Sequence, residues 1–279
     1  MKKLTVFCAA ACLAASAAAQ NHPDLHEVLD RQKGRNLIEI PKGTYTLDVR
    51  NNGPYKFHNL TDVHINGNGS TVICNNQEQA FSFYNCVRVE LRDLTIDYDP
   101  LCFTQGEITA VAEDGSWFDV RIDEGYPVTG LAANRVQFYD PQTRLLKRNS
   151  ITTYTSNYSA LKQLGHNLFR AVKNGTWSAG EQVGDLVVMD VKTDKPNAGV
   201  HTVMLNKCYN TKLENVTVYG SNTFSFFEKE GYANEYRNCV VDRGPMPQGI
   251  RPRLRSGNAD GIHILGLSGY LKMKDCHFD

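Results

Sequence analysis

The feature that most constrains the fold of this chain is a short motif that recurs along it. The motif reads apolar, any residue, Asn or Asp, apolar, any residue, apolar, and it occurs five times. Its alternating apolar positions predict a strand with one buried face, and the Asn or Asp predicts a turn that tolerates left-handed backbone. The five copies are Leu60, Asp62, Val63 and Ile65; Leu91, Asp93, Leu94 and Ile96; Leu213, Asn215, Val216 and Val218; Tyr236, Asn238, Cys239 and Val241; and Met273, Asp275, Cys276 and Phe278.

The spacing between copies selects the architecture. Val216 and Cys239 are 23 positions apart (239 − 216), about the length of one coil of a parallel β-helix, in which each coil stacks on the one before. Leu94 and Val216 are 122 apart (216 − 94), and Cys86 and Cys208 keep this separation. These separations predict two adjacent coils with about a hundred residues inserted between them. The sequence therefore predicts an all-β, right-handed parallel β-helix; the alternative is an ordinary β-sandwich with chance alternation.

The predicted insertion covers residues 104–197 and divides the β-helix into residues 20–103 and 198–279. Short strand candidates separated by turn residues favour a small antiparallel barrel or sandwich in the insertion. These candidates are residues 108–111, 117–122, 136–139, 167–172 and 185–190. Before the first coil, Leu25, Val28 and Leu29 recur at helical spacing, which predicts a short helix over residues 23–32 that covers the end of the stack.

The start of the chain predicts export. Lys2 and Lys3 precede an apolar run, and small residues at Ala17 and Ala19 predict cleavage before Gln20, so residues 1–19 are interpreted as a signal peptide. Cys12 raises the alternative of a lipoprotein anchor, although the residues before it do not suit one. No later apolar stretch reaches the roughly 20 residues that a membrane span needs. We therefore expect a periplasmic or secreted protein of the bacterial type.

Composition narrows the class of partner. The 279 residues carry 30 basic and 30 acidic side chains and no formal net charge, which removes the electrostatic footprint of nucleic-acid binding. A neutral or weakly charged partner fits better. Six of the eight cysteines follow the predicted signal peptide, and they show no C-x-x-C spacing. We therefore expect mostly buried free thiols, no metal site and no cofactor.

Residues 255–264 are the part of the chain richest in polar groups. Ile262 and Ile264 alternate with His263, so His263 is predicted to point outward if the isoleucines point into the coil. Asp260 precedes this strand beside a glycine, where a turn can bring its carboxylate to the same outer face. A carboxylate and an imidazole at such a corner suit sugar hydroxyls and general acid or base chemistry. The alternative is that these residues only form a tight turn followed by a solvated histidine.

Several other residues are weaker candidates. Glu228 is predicted to lie close to the position of Leu265 in the stack and to face the same groove. Asp97 and Asp99 flank the start of the insertion, where turn formation is the favoured role. Trp117 and Trp177, in the insertion, can stack on sugars, although burial is the usual role of tryptophan.

Two tracts of the chain resemble a known family. Asn258, Ala259, Asp260 and Gly261 resemble the Asn-x-Asp-Gly motif of the polygalacturonase branch of the pectin-lyase-like superfamily. The stretch 94–106, and the Ala-Asp-x-x-His pattern that ends at His263, are more similar still to glycoside hydrolase family 110, the exo-acting α-1,3-galactosidases. The likeness spans most of the mature chain, but only these short tracts are specific to the family.

The resemblance implies an inverting hydrolase that removes terminal α-linked galactose from an oligosaccharide or polysaccharide. It implies that Asp260 is one member of the catalytic carboxylate set and that Arg255, Asn258 and His263 bind the sugar. The register of Glu228, and not the resemblance, adds this residue to the expected sugar-binding set. That family is expected to carry a further aspartate pair about one coil beyond the position of Asp260. Because Asp279 is the last residue here, we expect this chain to be an incomplete fragment. The alternatives are a polysaccharide lyase or polygalacturonase-like enzyme, and a non-catalytic glycan-binding β-helix protein.

Overall fold

The computed structural model describes residues 22–192 and 201–279, so the predicted signal peptide lies outside the described residues. Among these residues, no helix is long and apolar enough to span a bilayer. A short helix with Leu25 and Leu29 buried precedes the first coil, as the spacing of its leucines predicted. The elements up to the insertion are α1 (Leu25–Asp30), β1 (Leu37–Glu39), β2 (Thr44–Leu47), α2 (Val49–Asn52), β3 (Tyr55–His58), β4 (Thr61–Cys74), β5 (Phe81–Tyr84) and β6 (Val87–Tyr98).

The insertion is antiparallel, as predicted. Its seven strands form one sheet in the order β10-β9-β13-β7-β8-β12-β11, which curls so that β11 approaches β9 and nearly closes a barrel around its own hydrophobic core. Strands β10 and β11 were not predicted. The strands are β7 (Phe103–Val111), β8 (Trp117–Ile122), β9 (Leu131–Tyr139), β10 (Thr153–Tyr154), β11 (Tyr158–Gln163), β12 (Leu168–Lys173) and β13 (Leu186–Val191).

After the insertion, the chain resumes the parallel coils. A five-stranded parallel sheet has the order β19-β16-β14-β5-β3, and a second parallel sheet runs through β1-β4-β6-β15-β17-β20 with β2, β18 and β21 beside it. The remaining strands are β14 (Val203–Asn206), β15 (Lys212–Val218), β16 (Phe226–Lys229), β17 (Glu235–Arg237), β18 (Val240–Val241), β19 (Ile262–Leu265), β20 (Lys272–Lys274) and β21 (His277–Phe278).

Each coil has three faces around a shared hydrophobic core. Face 1 is the five-stranded sheet. The long strands β4, β6 and β15 bend in the middle, and their two halves form face 2 and face 3; in the later coils these halves are the separate strands β17 and β18, then β20 and β21. The molecule is therefore a parallel β-helix with an inserted antiparallel domain, and the fold class predicted from the sequence is confirmed.

The bend between face 2 and face 3 is where four of the five motif copies lie. Leu94 pairs directly with Val216, so the coils before and after the insertion are neighbours, as the 122-residue spacing predicted. Asp93, Asn215, Asn238 and Asp275 occupy this bend with φ between 50° and 56°. These are left-handed conformations, which Asn and Asp tolerate better than other residues that carry a side chain.

The first motif copy lies at a different corner of the coil from the other four. Val63 pairs with Val89 and Ile65 with Leu91, so Asp62 lies at the corner before face 2 and not at the bend after it. Asp62 also has a positive φ, of 57°. Two corners of the coil thus use the same backbone conformation, and a short motif alone does not distinguish them.

Asn215 provides a test of the bend. Its Nδ2 donates to Asp93 Oδ1 at 2.7 Å, and it accepts a hydrogen bond at 3.1 Å from Nδ2 of Asn238. We expect Asn215→Ala to lower the free energy of unfolding by about 1–2 kcal/mol, because alanine strains a left-handed backbone. Asn215→Gly loses the same side-chain hydrogen bonds without that strain and is expected to cost less in urea denaturation. Equal losses in the two variants would assign the effect to the hydrogen bonds instead.

Candidate active site

Three connections leave the coils at one corner, between face 3 and face 1. The insertion follows β6, residues 219–225 link β15 to β16, and residues 242–261 link β18 to β19. The last connection rejoins the stack before β19, where the backbone N–H of Asn258 donates to the carbonyl of Ser221 at 2.8 Å. This corner is therefore the place where the inserted domain meets the coils.

Asp260 and His263 form a hydrogen-bonded pair on the outside of this corner. Nδ1 of His263 lies 2.9 Å from Oδ2 of Asp260, and the two side chains are 36% and 57% exposed. Ile262 packs against the coil core, so the neighbouring His263 points outward, as predicted. Gly261 has no room for a side chain, because a Cβ there would lie 2.7 Å from the Cβ of Phe278. A carboxylate and an imidazole in contact and open to solvent can bind hydroxyl groups and transfer protons.

An aromatic stack supports this pair along the outer side of face 1. The ring of His263 lies parallel to Phe224, with ring centroids 4.1 Å apart and an angle of 3° between the planes. One coil earlier, His201 stacks on Phe227 at 4.1 Å. Burial and, second, the nearby His263 lower the pKa of His201 to about 4, so His201 is neutral near pH 7. The stack sets the plane of the His263 ring and so directs its Nδ1 toward Asp260.

Arg255 and Asn258, which were predicted to bind a sugar, are buried. Nη2 of Arg255 donates to Asp190 Oδ1 at 2.8 Å, and Nη1 donates to Gln137 Oε1 at 3.2 Å. The Asn258 side chain donates to the carbonyl of Cys102 at 3.2 Å. Burial raises the pKa of Asp190, and Arg255 acts in the opposite direction. The structure therefore places both predicted sugar ligands beneath the Asp260 turn, where the terminal nitrogens of Arg255 and the side chain of Asn258 bind other protein groups.

Glu228 lies inside the coil, so the prediction that it faces the groove is wrong. It pairs with Ile264, one position from the predicted neighbour Leu265, and its side chain is fully buried. Successive strand residues alternate between faces, so a shift of one residue moves a side chain from the surface to the interior. There the Tyr236 hydroxyl donates to Oε2 at 3.1 Å, and Oε1 has no hydrogen-bond partner among the described residues.

The buried carboxyl group of Glu228 should make stability depend on pH. Burial raises its pKa above the ordinary 4.5, while the nearby side chains of Asn234 and Tyr236 act in the opposite direction. The folded state then holds this proton more tightly than the unfolded chain does, so this group lowers the free energy of unfolding as pH rises above 4.5. We expect Glu228→Gln to remove that loss and to stabilise the fold near pH 7 by about 1–3 kcal/mol in urea unfolding.

Glu214 is the matched control, because it should act with the opposite sign. The hydrogen bond from Lys212 lowers the pKa of Glu214 below 4.5. Its contribution to stability is thus present above pH 4.5 and is lost on acidification. Glu214→Gln is not expected to stabilise the fold near pH 7. Parallel pH profiles for the wild type and Glu228→Gln would show that Glu228 does not titrate as a buried acid.

The weaker candidates have structural contacts. Asp97 is held by Arg253 in a buried ion pair, whereas Asp99 is exposed. The guanidinium of Arg170 lies 3.5 Å from the ring centre of Trp117. Trp177 is similarly approached by an ammonium group, that of Lys173, at 4.6 Å. In both tryptophans a cation therefore occupies a ring face that a sugar would otherwise use.

Sequence reasoning missed three groups that shape this corner: His201 and Phe224 in the aromatic stack, and Asp190 of the inserted domain. A register alignment would have indicated the stack, because Phe227 pairs with His263 in the neighbouring coil and Phe224 precedes Phe227 by three residues, as Asp260 precedes His263. No short-range pattern indicates Asp190, since it meets Arg255 only through the docking of two domains.

Comparison with known proteins gives two distant relatives. The chain is 24% identical over 234 residues to Alpha-1,3-galactosidase B of Bacteroides thetaiotaomicron, which covers 78% of this chain and 36% of that protein. It is 22% identical over 299 residues to Alpha-1,3-galactosidase A of the same bacterium, covering 97% of this chain and 48% of that protein. The chain thus spans less than half the length of either relative. No family model matches it.

Proposed function

We propose that this chain belongs to an exported glycoside hydrolase that removes terminal α-linked galactose with inversion of configuration. The observation that carries the proposal is the solvent-exposed Asp260–His263 pair at the coil corner, in a chain distantly similar to two α-1,3-galactosidases. The basic and apolar start of the chain, through residue 19, supports export to the periplasm or the medium.

Asp260 is the residue that we assign to acid or base chemistry. An inverting hydrolase needs one carboxylic acid that protonates the leaving oxygen and one carboxylate that activates water. Asp97 and Asp190, which also lie near this corner, are each held by a buried arginine in an ion pair. Each carboxylate is therefore occupied by a guanidinium and largely shielded from solvent. Among the three, Asp260 is the carboxyl group that a sugar can reach.

His263 has a supporting role in this proposal. Its contact with Asp260 orients the carboxylate, and its parallel packing on Phe224 covers one face of the ring and leaves the ring edge open to a ligand. An imidazole edge and a carboxylate side by side can bind two neighbouring hydroxyls of one sugar ring. The sugar therefore sits at the outer end of the aromatic stack, next to Asp260.

The proposal is tested by incubating the full-length gene product with an α-1,3-linked galactoside and with its β-linked isomer. We expect free galactose from the α-linked substrate only, with the β-anomer appearing first in NMR spectra, as inversion requires. An unsaturated sugar product from polygalacturonate would indicate a lyase instead. Binding to α-galactosides on a glycan array without release of galactose would indicate a non-catalytic binding protein.

A further inference from the structure

The inserted domain holds the segment that leads to Asp260. We propose that Asp190 and Arg135, both on strands of the inserted domain, are positioning residues for the Asp260–His263 pair. This inference rests on the proposed function and adds that the insertion is a working part of the site. It predicts that changes in one domain alter the chemistry carried by the other.

The first argument is where the preceding loop packs. Leu254 is buried in the hydrophobic core of the inserted domain and not in that of the coils. Its backbone N–H donates to Gln105 Oε1 at 2.9 Å, and Gln105 Nε2 donates to the carbonyl of Pro252 at 3.1 Å. The Tyr126 hydroxyl donates to the carbonyl of Arg251 at 2.9 Å. The loop therefore reaches Asp260 along the surface of the inserted domain.

The second argument is a buried chain of charged and polar groups. Asp190, on β13, accepts a hydrogen bond from Arg255 at 2.8 Å, and the same Arg255 nitrogen donates to the side-chain oxygen of Asn258. Arg255 is only 6% exposed. A buried guanidinium needs a carboxylate partner and fixed acceptors, so these hydrogen-bonded side chains have little freedom to rearrange.

The third argument is that all four hydrogen-bonding groups of Asn258 are occupied. Its N–H donates to Ser221 and its side-chain nitrogen to Cys102, its side-chain oxygen accepts from Arg255, and its carbonyl accepts from Arg135, on β9. Three of these partners, Ser221, Cys102 and Arg255, lie outside the insertion, and Arg135 lies within it. Asp260 follows only two residues later. The inserted domain thus fixes the backbone immediately before Asp260.

The test compares Arg135→Met with Arg135→Lys in the full chain. Small displacements of a reacting group cost large factors in rate, so we expect Arg135→Met to lower kcat for galactose release by about 10- to 100-fold. KM should change by less than about twofold, because Arg135 itself is not assigned to the sugar. Lysine can still donate to the Asn258 carbonyl and is expected to restore most of kcat.

A second variant addresses the Asp190 contact without leaving a buried charge. The double substitution Asp190→Leu with Arg255→Met replaces the ion pair by apolar side chains, which folded proteins often tolerate. We expect this variant to fold and still to show lower kcat. The matched control is Asp119→Asn, which breaks an ion pair with Arg170 in the same domain but elsewhere on its sheet. This control should leave kcat unchanged.

Amide hydrogen exchange separates this inference from the proposed function. We expect peptides that cover residues 255–264 to exchange at least about tenfold faster in Arg135→Met than in the wild type or in Asp119→Asn. If no variant or wild type releases galactose but this difference is found, the proposed function fails and the positioning role stands. Unchanged exchange in Arg135→Met, or equal losses of kcat in Arg135→Met and Asp119→Asn, would overturn the inference.

Discussion

Asp260→Asn is expected to lower kcat for galactose release by about 10²- to 10⁴-fold, the range that general acid or base catalysis contributes. Asparagine has nearly the shape of aspartate and can still form a hydrogen bond with His263, but it neither gives nor takes a proton at neutral pH. Because the Asp260 side chain is 57% exposed, the substitution should leave the folded state intact. Steady-state kinetics with an α-1,3-linked galactoside measures the effect.

Asp99→Asn is the matched control for Asp260→Asn. Asp99 is also exposed and also lies at the corner between face 3 and face 1, but it has no contact with His263 among its hydrogen bonds in the described residues. We expect the Asp99→Asn variant to release galactose with the kcat of the wild type. Full activity in Asp260→Asn would remove Asp260 from the mechanism, and equal losses in both variants would indicate an electrostatic effect of the whole corner.

The coil stack was predictable because its causes are local and repeat. A left-handed bend requires a particular kind of residue, and the Asn or Asp at that bend recurs once per coil beside alternating buried positions. The separation of Leu94 and Val216 then predicted the insertion. The motif alone does not show that its first copy lies at another corner, because Asp62 and Asp93 adopt almost the same φ, 57° and 56°, at different corners.

The candidate site was predictable only in part. Asp260 and His263 are three residues apart on one edge of one coil, so strand alternation was enough to bring them together. Arg255 and Asn258 were predicted to bind a sugar but are buried, because short sequence patterns do not show which domain will cover a loop. Glu228 was placed on the wrong face by an error of one residue in register.

The second large effect is expected at Asp97 and Arg253, which join the end of β6 to the loop that leads to Asp260. Nη1 and Nη2 of Arg253 donate to the two oxygens of Asp97, each at 2.8 Å, and the Asp97 and Arg253 side chains are only 12% and 6% exposed. Removing one member leaves the other charge buried without a partner. We expect Arg253→Met to lower the free energy of unfolding by about 3–5 kcal/mol in urea denaturation.

Two further variants show whether this loss comes from the unpaired charge. Asp97→Leu combined with Arg253→Met removes both charges, and we expect it to recover most of the stability that Arg253→Met loses. Arg88 and Asp62 also form an ion pair with two hydrogen bonds, but both side chains are more than half exposed. Water already solvates those charges, so Arg88→Met should leave the unfolding curve nearly unchanged. If the double variant were as unstable as Arg253→Met, the loss would come from packing of the arginine side chain and not from the charge that it neutralises.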